Sequence, residues 1–298
     1  MKIEKLYPVC KDYVWGGEKL KEKYGKQTDL TPCAESWELS FHKDGPTRLS
    51  DGRMLYEAVS DIELGENCKK FPYFPVLIKF IDAKSDLSVQ VHPSDEYALK
   101  NENSYGKTEM WYIVEADDGA GIYLGFKENV TRVEFETAIK EKRLTELLNF
   151  YPVKPGECYF IPSGTIHAIG SDCLICEIQQ NSNLTYRVYD SGRRDKFGNE
   201  RELHIEKALA VTDLKKFEPA AFSGDTLGAC EYFNVKKRSV DGSLTLSANE
   251  ESFNCITAVC GSGEIDGIPF SKGDSFFVPA GYGEYAVTGK AEILLTKI

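Results

Sequence analysis

Histidine is scarce in this chain, with four in 298 residues and none beyond His204. Any imidazole-dependent chemistry must therefore be found among a handful of positions in the first two thirds. Long apolar runs are missing as well: nowhere do about 18 uncharged apolar residues follow one another, which excludes a spanning helix. Residues 1–15 carry scattered charges and no apolar run of signal-peptide length, so export is not expected and a cytoplasmic location is. Positive charge is in deficit, 36 Lys and Arg against 47 Asp and Glu, for a net charge of −11. A chain this acidic repels nucleic acid and anionic lipid as a whole, so neither is an expected partner, and any anionic ligand must be met by local cations. The nine cysteines are odd in number and irregularly spaced, which fits reduced thiols better than a disulfide framework. Cys173 and Cys176 have a spacing that invites a zinc reading. They lie in a strand-like run, however, where residues three apart point to opposite faces.

Short apolar or alternating runs, broken by Gly, Pro, Asn and Asp, recur at 74–81, 87–91, 110–115, 121–126, 158–162, 174–179 and 184–189, and again at 232–240, 243–248, 255–260, 275–279 and 291–297. This is the pattern of a β-rich sandwich or barrel. Helical periodicity is clearest at 131–149, where Thr131 and Glu134 form a capping box ahead of Val133, Phe135, Ala138, Ile139, Leu144, Leu147 and Leu148. Shorter helices are expected at 94–101 and 203–212. The chain also repeats itself. Residues 156–164, Gly-Glu-Cys-Tyr-Phe-Ile-Pro-Ser-Gly, match 273–281, Gly-Asp-Ser-Phe-Phe-Val-Pro-Ala-Gly, class for class. The first copy runs on to His167, whereas the second offers Glu284 or Tyr285 at that place. Two copies of one β-unit are therefore expected, with chemistry confined to the first: a catalytic domain over 1–218 carrying a helical insert near 131–149, and a degenerate domain over 219–298.

Two histidines stand apart from His42 and His204, which sit at a strand end and on an expected helix. In Leu87-Ser-Val-Gln-Val-His92, strand alternation puts Ser88, Gln90 and His92 on one face and the apolar residues on the other. An exposed sheet face would by itself account for that polar row. The second histidine changes its meaning. His167 closes a Gly156, Pro162, Gly164 turn that aims the following side chain from a strand end.

That spacing, G-x5-P-x-G-x2-H, resembles the second signature of the cupin superfamily, which implies a metal held inside a small jelly-roll barrel. With Gln90-Val-His92-Pro93, Gly106-Lys107-Thr-Glu109-Met110, Pro162-Ser-Gly164-Thr-Ile-His167-Ala and the Glu177 and Arg187 pair, the chain is similar to type I mannose-6-phosphate isomerases of the short bacterial form. The likeness extends to Trp15-Gly-Gly and Glu35-Ser-Trp-Glu38 and covers most of 10–210. Thr108 departs from it, standing where many longer members have proline. The resemblance implies a mainly β protein of two cupin-type jelly-roll barrels. It also implies Gln90, His92, Glu109 and His167 as ligands of one zinc ion per chain, and Arg187 as the active-site arginine.

Two imidazoles, a carboxylate and an amide oxygen make an open N/O site that suits zinc and equally Fe(II), Mn(II) or Co(II), so the ligands alone do not choose the reaction. Nearby cations do more. Lys107 shares a strand face with Glu109, Lys84 precedes the His92 strand and Arg187 follows the second signature, an arrangement that argues for a phosphorylated substrate. The expected reaction interconverts mannose 6-phosphate and fructose 6-phosphate through an enediol. Arg187 would stabilise negative charge, and Lys107, then Glu177, would handle the proton. Ser88 and Lys84 are candidates for substrate contact, and Trp37 and Trp111 for pocket walls. A monomer or homodimer is expected. A mononuclear iron oxygenase on the same ligands and a non-catalytic sugar-phosphate sensor are the competing readings.

Overall fold

A computed structural model describes residues 2–194 and 198–298. Strands take 41% of the chain and helices 15%, so the expected mainly β class is observed. Two compact units divide the chain. One gathers the residues up to Lys11, Glu18–Phe80 and Ala221–Ile298; the other gathers Asp12–Gly17 and Ile81–Ala220. Glu18–Phe80 groups with the C-terminal segment and not with Ile81–Ala220. The reason lies in backbone pairing that leaves no mark on the sequence. Glu4 sits opposite Phe277, Ala280 N donates to Glu63 O at 2.8 Å, and Asn67 N donates to Glu251 O at 2.8 Å.

The unit spanning 81–220 is a two-layered β structure. One sheet has five strands in the order Tyr186–Tyr189, Val89–Val91, His167–Ile169, Gly121–Phe126 and Leu148–Pro152. In the other layer Glu109–Ala116 lies between Cys173–Gln180 and Cys158–Ile161, antiparallel to both. Alternation sorts the faces of the first sheet. Val89 and Val91 point outward into an apolar cluster with Phe126, Phe135, Ile139, Leu144, Leu148, Tyr186 and Leu209, while Gln90 points the other way. The core expected beneath the apolar row is therefore a helix-on-sheet layer, built by Arg132–Lys140, Leu144–Leu147 and Ile205–Val211.

The helical stretch expected over 131–149 is shorter and broken. Its capping box is present, with Thr131 N donating to Glu134 Oε2 at 2.7 Å and Glu134 N to Thr131 Oγ1 at 3.2 Å. Lys142 then adopts a φ of 58°, which interrupts the helix, and Leu148 is already a strand residue. Heptad-like spacing could not separate these, because Leu144 and Leu148 are buried in the same cluster from two kinds of element.

The other unit carries a seven-stranded sheet, including Asn234–Ala248, Asn254–Ile265, Ser275–Val278 and Gly283–Lys297, over a core of Ile256, Phe276, Val278, Val287, Ile293 and their neighbours. The internal repeat is conformational as well as sequential. Gly156 and Gly273 have φ of 93° and 94°, a region that only glycine enters at little cost, each just ahead of a matching strand.

Candidate metal centre and active site

Each layer of the 81–220 unit contributes to one buried cluster. His92 follows the Val89–Val91 strand and His167 opens its neighbour in the five-stranded sheet; Glu109 opens a strand of the opposite layer. All three are buried, at 1%, 0% and 0% exposure. One donor atom from each lies within 4.8 Å of the others. Glu109 Oε2 is 3.6 Å from His92 Nε2, and Glu109 Oε1 is 3.4 Å from His167 Nε2. Two ligand atoms bound tetrahedrally at about 2.1 Å stand roughly 3.4 Å apart, so the observed separations suit a single ion.

The tautomers agree with that reading. His92 Nδ1 hydrogen-bonds the Leu184 carbonyl at 2.8 Å and His167 Nδ1 the Thr165 carbonyl at 2.9 Å. A carbonyl only accepts, so both protons sit on Nδ1 and each Nε2 is left with a lone pair, within 3.6 Å of a Glu109 oxygen. Burial pushes His167 down to about 4, and the nearby Lys107 charge adds to the effect, while the Thr165 carbonyl and Glu177 oppose it. It is a neutral imidazole, the form that binds a metal. Gln90 completes the group, with its amide nitrogen 3.3 Å from His167 Nε2 and its oxygen accepting from buried Ser88 Oγ at 3.4 Å.

A second layer of charge surrounds the ligands. Lys107, 4% exposed, places Nζ 2.5 Å from Glu109 Oε2, 3.1 Å from Glu177 Oε1 and 3.3 Å from His92 Nε2. Glu177 also accepts the Trp111 indole N–H on Oε2 at 2.8 Å. In formal charges, two carboxylates and one ammonium leave the buried group one negative charge in excess, which a divalent cation would offset. The residues fit a bound metal ion in donor type, protonation and charge.

Arg187 is brought in by sheet register. Gln90 pairs with His167 on one side and with Arg187 on the other, so the three residues form a row across adjacent strands. Directly opposed residues share a face, which turns the guanidinium toward the side that carries the metal donors. Burial and the neighbouring Arg201 hold Arg187 below the usual arginine range, and among the described residues its buried Nε meets no hydrogen-bond partner.

The remaining sequence candidates lie as follows. Lys84 is exposed and ion-paired to Asp172 at 2.6 Å. Trp37 belongs to the other unit, where it is buried, donates Nε1 to Glu35 Oε2 at 2.7 Å and meets the His42 ring edge-on. Cys173 and Cys176 are buried and lie outside the donor cluster, with no disulfide formed by either among the described residues. Sequence reading missed Arg193 and Arg201. Arg201 holds Asp190 through Nε and Nη2 at 2.6 and 2.5 Å, and Arg193 Nη1 lies 3.7 Å from the same carboxylate. The Ser-Gly-Arg-Arg run at 191–194 was a visible cationic signal, but a loop has no periodicity from which to infer what it faces.

Comparison with known proteins adds the family. The mannose-6-phosphate isomerase ManA of Bacillus subtilis is 37% identical over 320 aligned positions, covering 100% of both chains. The chain belongs to the type I phosphomannose isomerase family. Within that family, the mannose-6-phosphate isomerase of Streptococcus mutans is 34% identical over 94% of this chain and 93% of its own. The family model "Phosphomannose isomerase type I, catalytic domain" matches residues 3–116, and "Mannose-6-phosphate isomerase, cupin domain" matches 225–298. The crystal structure of the Bacillus subtilis mannose 6-phosphate isomerase superposes with a TM-score of 0.89 at 33% identity over the whole of both chains. A mannose 6-phosphate isomerase solved with zinc and yttrium shares the fold at a TM-score of 0.77 and 17% identity, over 99% of both chains.

Proposed function

We propose that this chain is a metal-dependent aldose-ketose isomerase that interconverts mannose 6-phosphate and fructose 6-phosphate through an enediol. One zinc ion per chain would be held by His92, Glu109, His167 and the oxygen of Gln90. The amide ends of Gln90 exchange by a half-turn of the group, which offers the oxygen to the ion. Zinc is preferred because the conversion moves a proton and leaves no net redox change, so a redox-inert Lewis acid suffices. A cytoplasmic protein, whose nine thiols stay reduced, working as monomer or homodimer, is part of the same reading.

The observation that carries the proposal is the row His167, Gln90, Arg187 facing the Lys107 and Glu177 pair. When bound, the ion polarises the sugar oxygens. Arg187 keeps its proton at all working pH values and so stabilises the oxyanion of the enediol as a fixed cation. Lys107, 3.1 Å from Glu177, donates to a substrate hydroxyl or relays the proton between C2 and C1, and Glu177 is the acceptor that shares that hydrogen bond. Arg193 and Arg201 join Arg187 in a three-guanidinium cluster around Asp190 that suits a phosphate, with Ser88 acting through Gln90.

Purified protein assayed for fructose 6-phosphate by a coupled reaction, alongside metal analysis, tests this. Turnover should scale with bound metal and be indifferent to oxygen. Oxygen consumption with iron dependence would favour the oxygenase. Tight binding of mannose 6-phosphate by metal-replete protein without product would favour a sensor.

A further inference from the structure

We propose that Trp111 is a positioning residue of this site, acting through Glu177; the assignment rests on the isomerase reading above. Trp111 and Glu177 are directly paired on neighbouring antiparallel strands, and both are buried, at 0% and 2% exposure. The indole N–H takes one carboxylate oxygen at 2.8 Å, and Lys107 Nζ takes the other at 3.1 Å. Two donors on opposite oxygens restrict the rotation of a buried carboxylate. Removing the N–H takes a donor from Oε2 of a buried carboxylate, which weakens the hold that sets its orientation toward Lys107. The Trp111 ring also stands edge-on to His167, 5.4 Å between centroids at 82°. One side chain therefore braces both a metal donor and the carboxylate that shares a proton with Lys107. Packing alone would ask only for an apolar ring. The indole N–H is what ties this ring to the chemistry.

The two roles separate in Trp111→Phe, which keeps an aromatic ring beside His167 and deletes only the donor and some volume. Metal content and KM for mannose 6-phosphate should stay within about threefold of wild type, while kcat falls about 10- to 100-fold, the range expected for a lost hydrogen bond to a charged group. Acting through Glu177 makes a further demand: the double variant Trp111→Phe, Glu177→Gln should be no slower than Glu177→Gln alone. If the two losses instead multiply, or Glu177→Gln turns over at the wild-type rate, the assignment is overturned. Should Trp111→Phe fail to fold, replacement by 3-benzothienylalanine, which keeps the bicyclic shape without the N–H, gives the same readout. Wild-type protein that makes no fructose 6-phosphate would refute the isomerase reading itself, a result told apart by the unsubstituted enzyme.

Discussion

Single side chains set the chemistry. His167→Ala removes a neutral imidazole whose Nε2 faces Glu109 at 3.4 Å, and metal analysis of that variant should find the site empty and turnover gone. Retention of a full complement of metal would show the donor set to be wrong. Arg187→Ala should leave metal content intact and lower kcat about 10²- to 10³-fold, as for the loss of a preorganised oxyanion donor. Unchanged kcat there would remove the electrostatic role. At this scale the primary structure was most informative where a side chain is tied to a rigid local motif. The Gly156, Pro162, Gly164 turn announces His167, and strand alternation announces Gln90 and His92. It was least informative for Arg193 and Arg201. Their meeting at Asp190 depends on the path of a loop, and three charged residues in a loop read equally well as a solvated surface.

Elements explain why the donors meet at all. The His92 and His167 strands are neighbours in one layer and the Glu109 strand belongs to the other, so the cluster exists because the two layers face each other. Turn glycines and period-two alternation made most strands recognisable. Their partners, which decide the site, were not, since ladder hydrogen bonds use backbone atoms common to every residue. The helical insert shows the converse error, in which one apolar spacing served a helix, a left-handed break at Lys142 and a strand in turn. The capping box is a local stabiliser. Thr131→Ala should therefore cost about 1 kcal/mol and lower Tm by about 2–4 °C, with kcat unaffected. A calorimetric scan and an assay on the same sample check both, and a drop in kcat at unchanged Tm would mean that the insert reaches the chemistry.

Across the whole molecule one turn-and-strand motif occurs twice, ahead of Cys158–Ile161 and ahead of Ser275–Val278. Among the described residues the His92, Glu109 and His167 group is the metal-competent cluster, and it belongs to the 81–220 unit. In the second copy Tyr285 stands near the place of His167, buried, with its hydroxyl accepting from Asn254 at 2.8 Å. Tyr285→Phe should thus lower stability by about 1–2 kcal/mol and leave kcat and bound metal unchanged, which denaturant titration and metal analysis would show. A large loss of kcat in folded Tyr285→Phe would mean that the second copy takes part in catalysis. Sequence comparison of the copies was enough to see that one had lost its imidazole. The grouping of Glu18–Phe80 with the C-terminal strands was beyond it, because contacts such as Lys26 Nζ to the Gly273 carbonyl, at 2.5 Å, join positions with no shared local pattern.

The row of His167, Gln90 and Arg187 has a further consequence. Adjacent strands are spaced about 4.8 Å apart, so the gap between the imidazole and the guanidinium is metered by the hydrogen-bond ladder rather than by any loop. Its backbone span changes only in whole strand widths. Reach within that span is set by side chains, so shortening the one at position 187 would draw back its cation while the strands carrying Gln90 and His167 stay where they are.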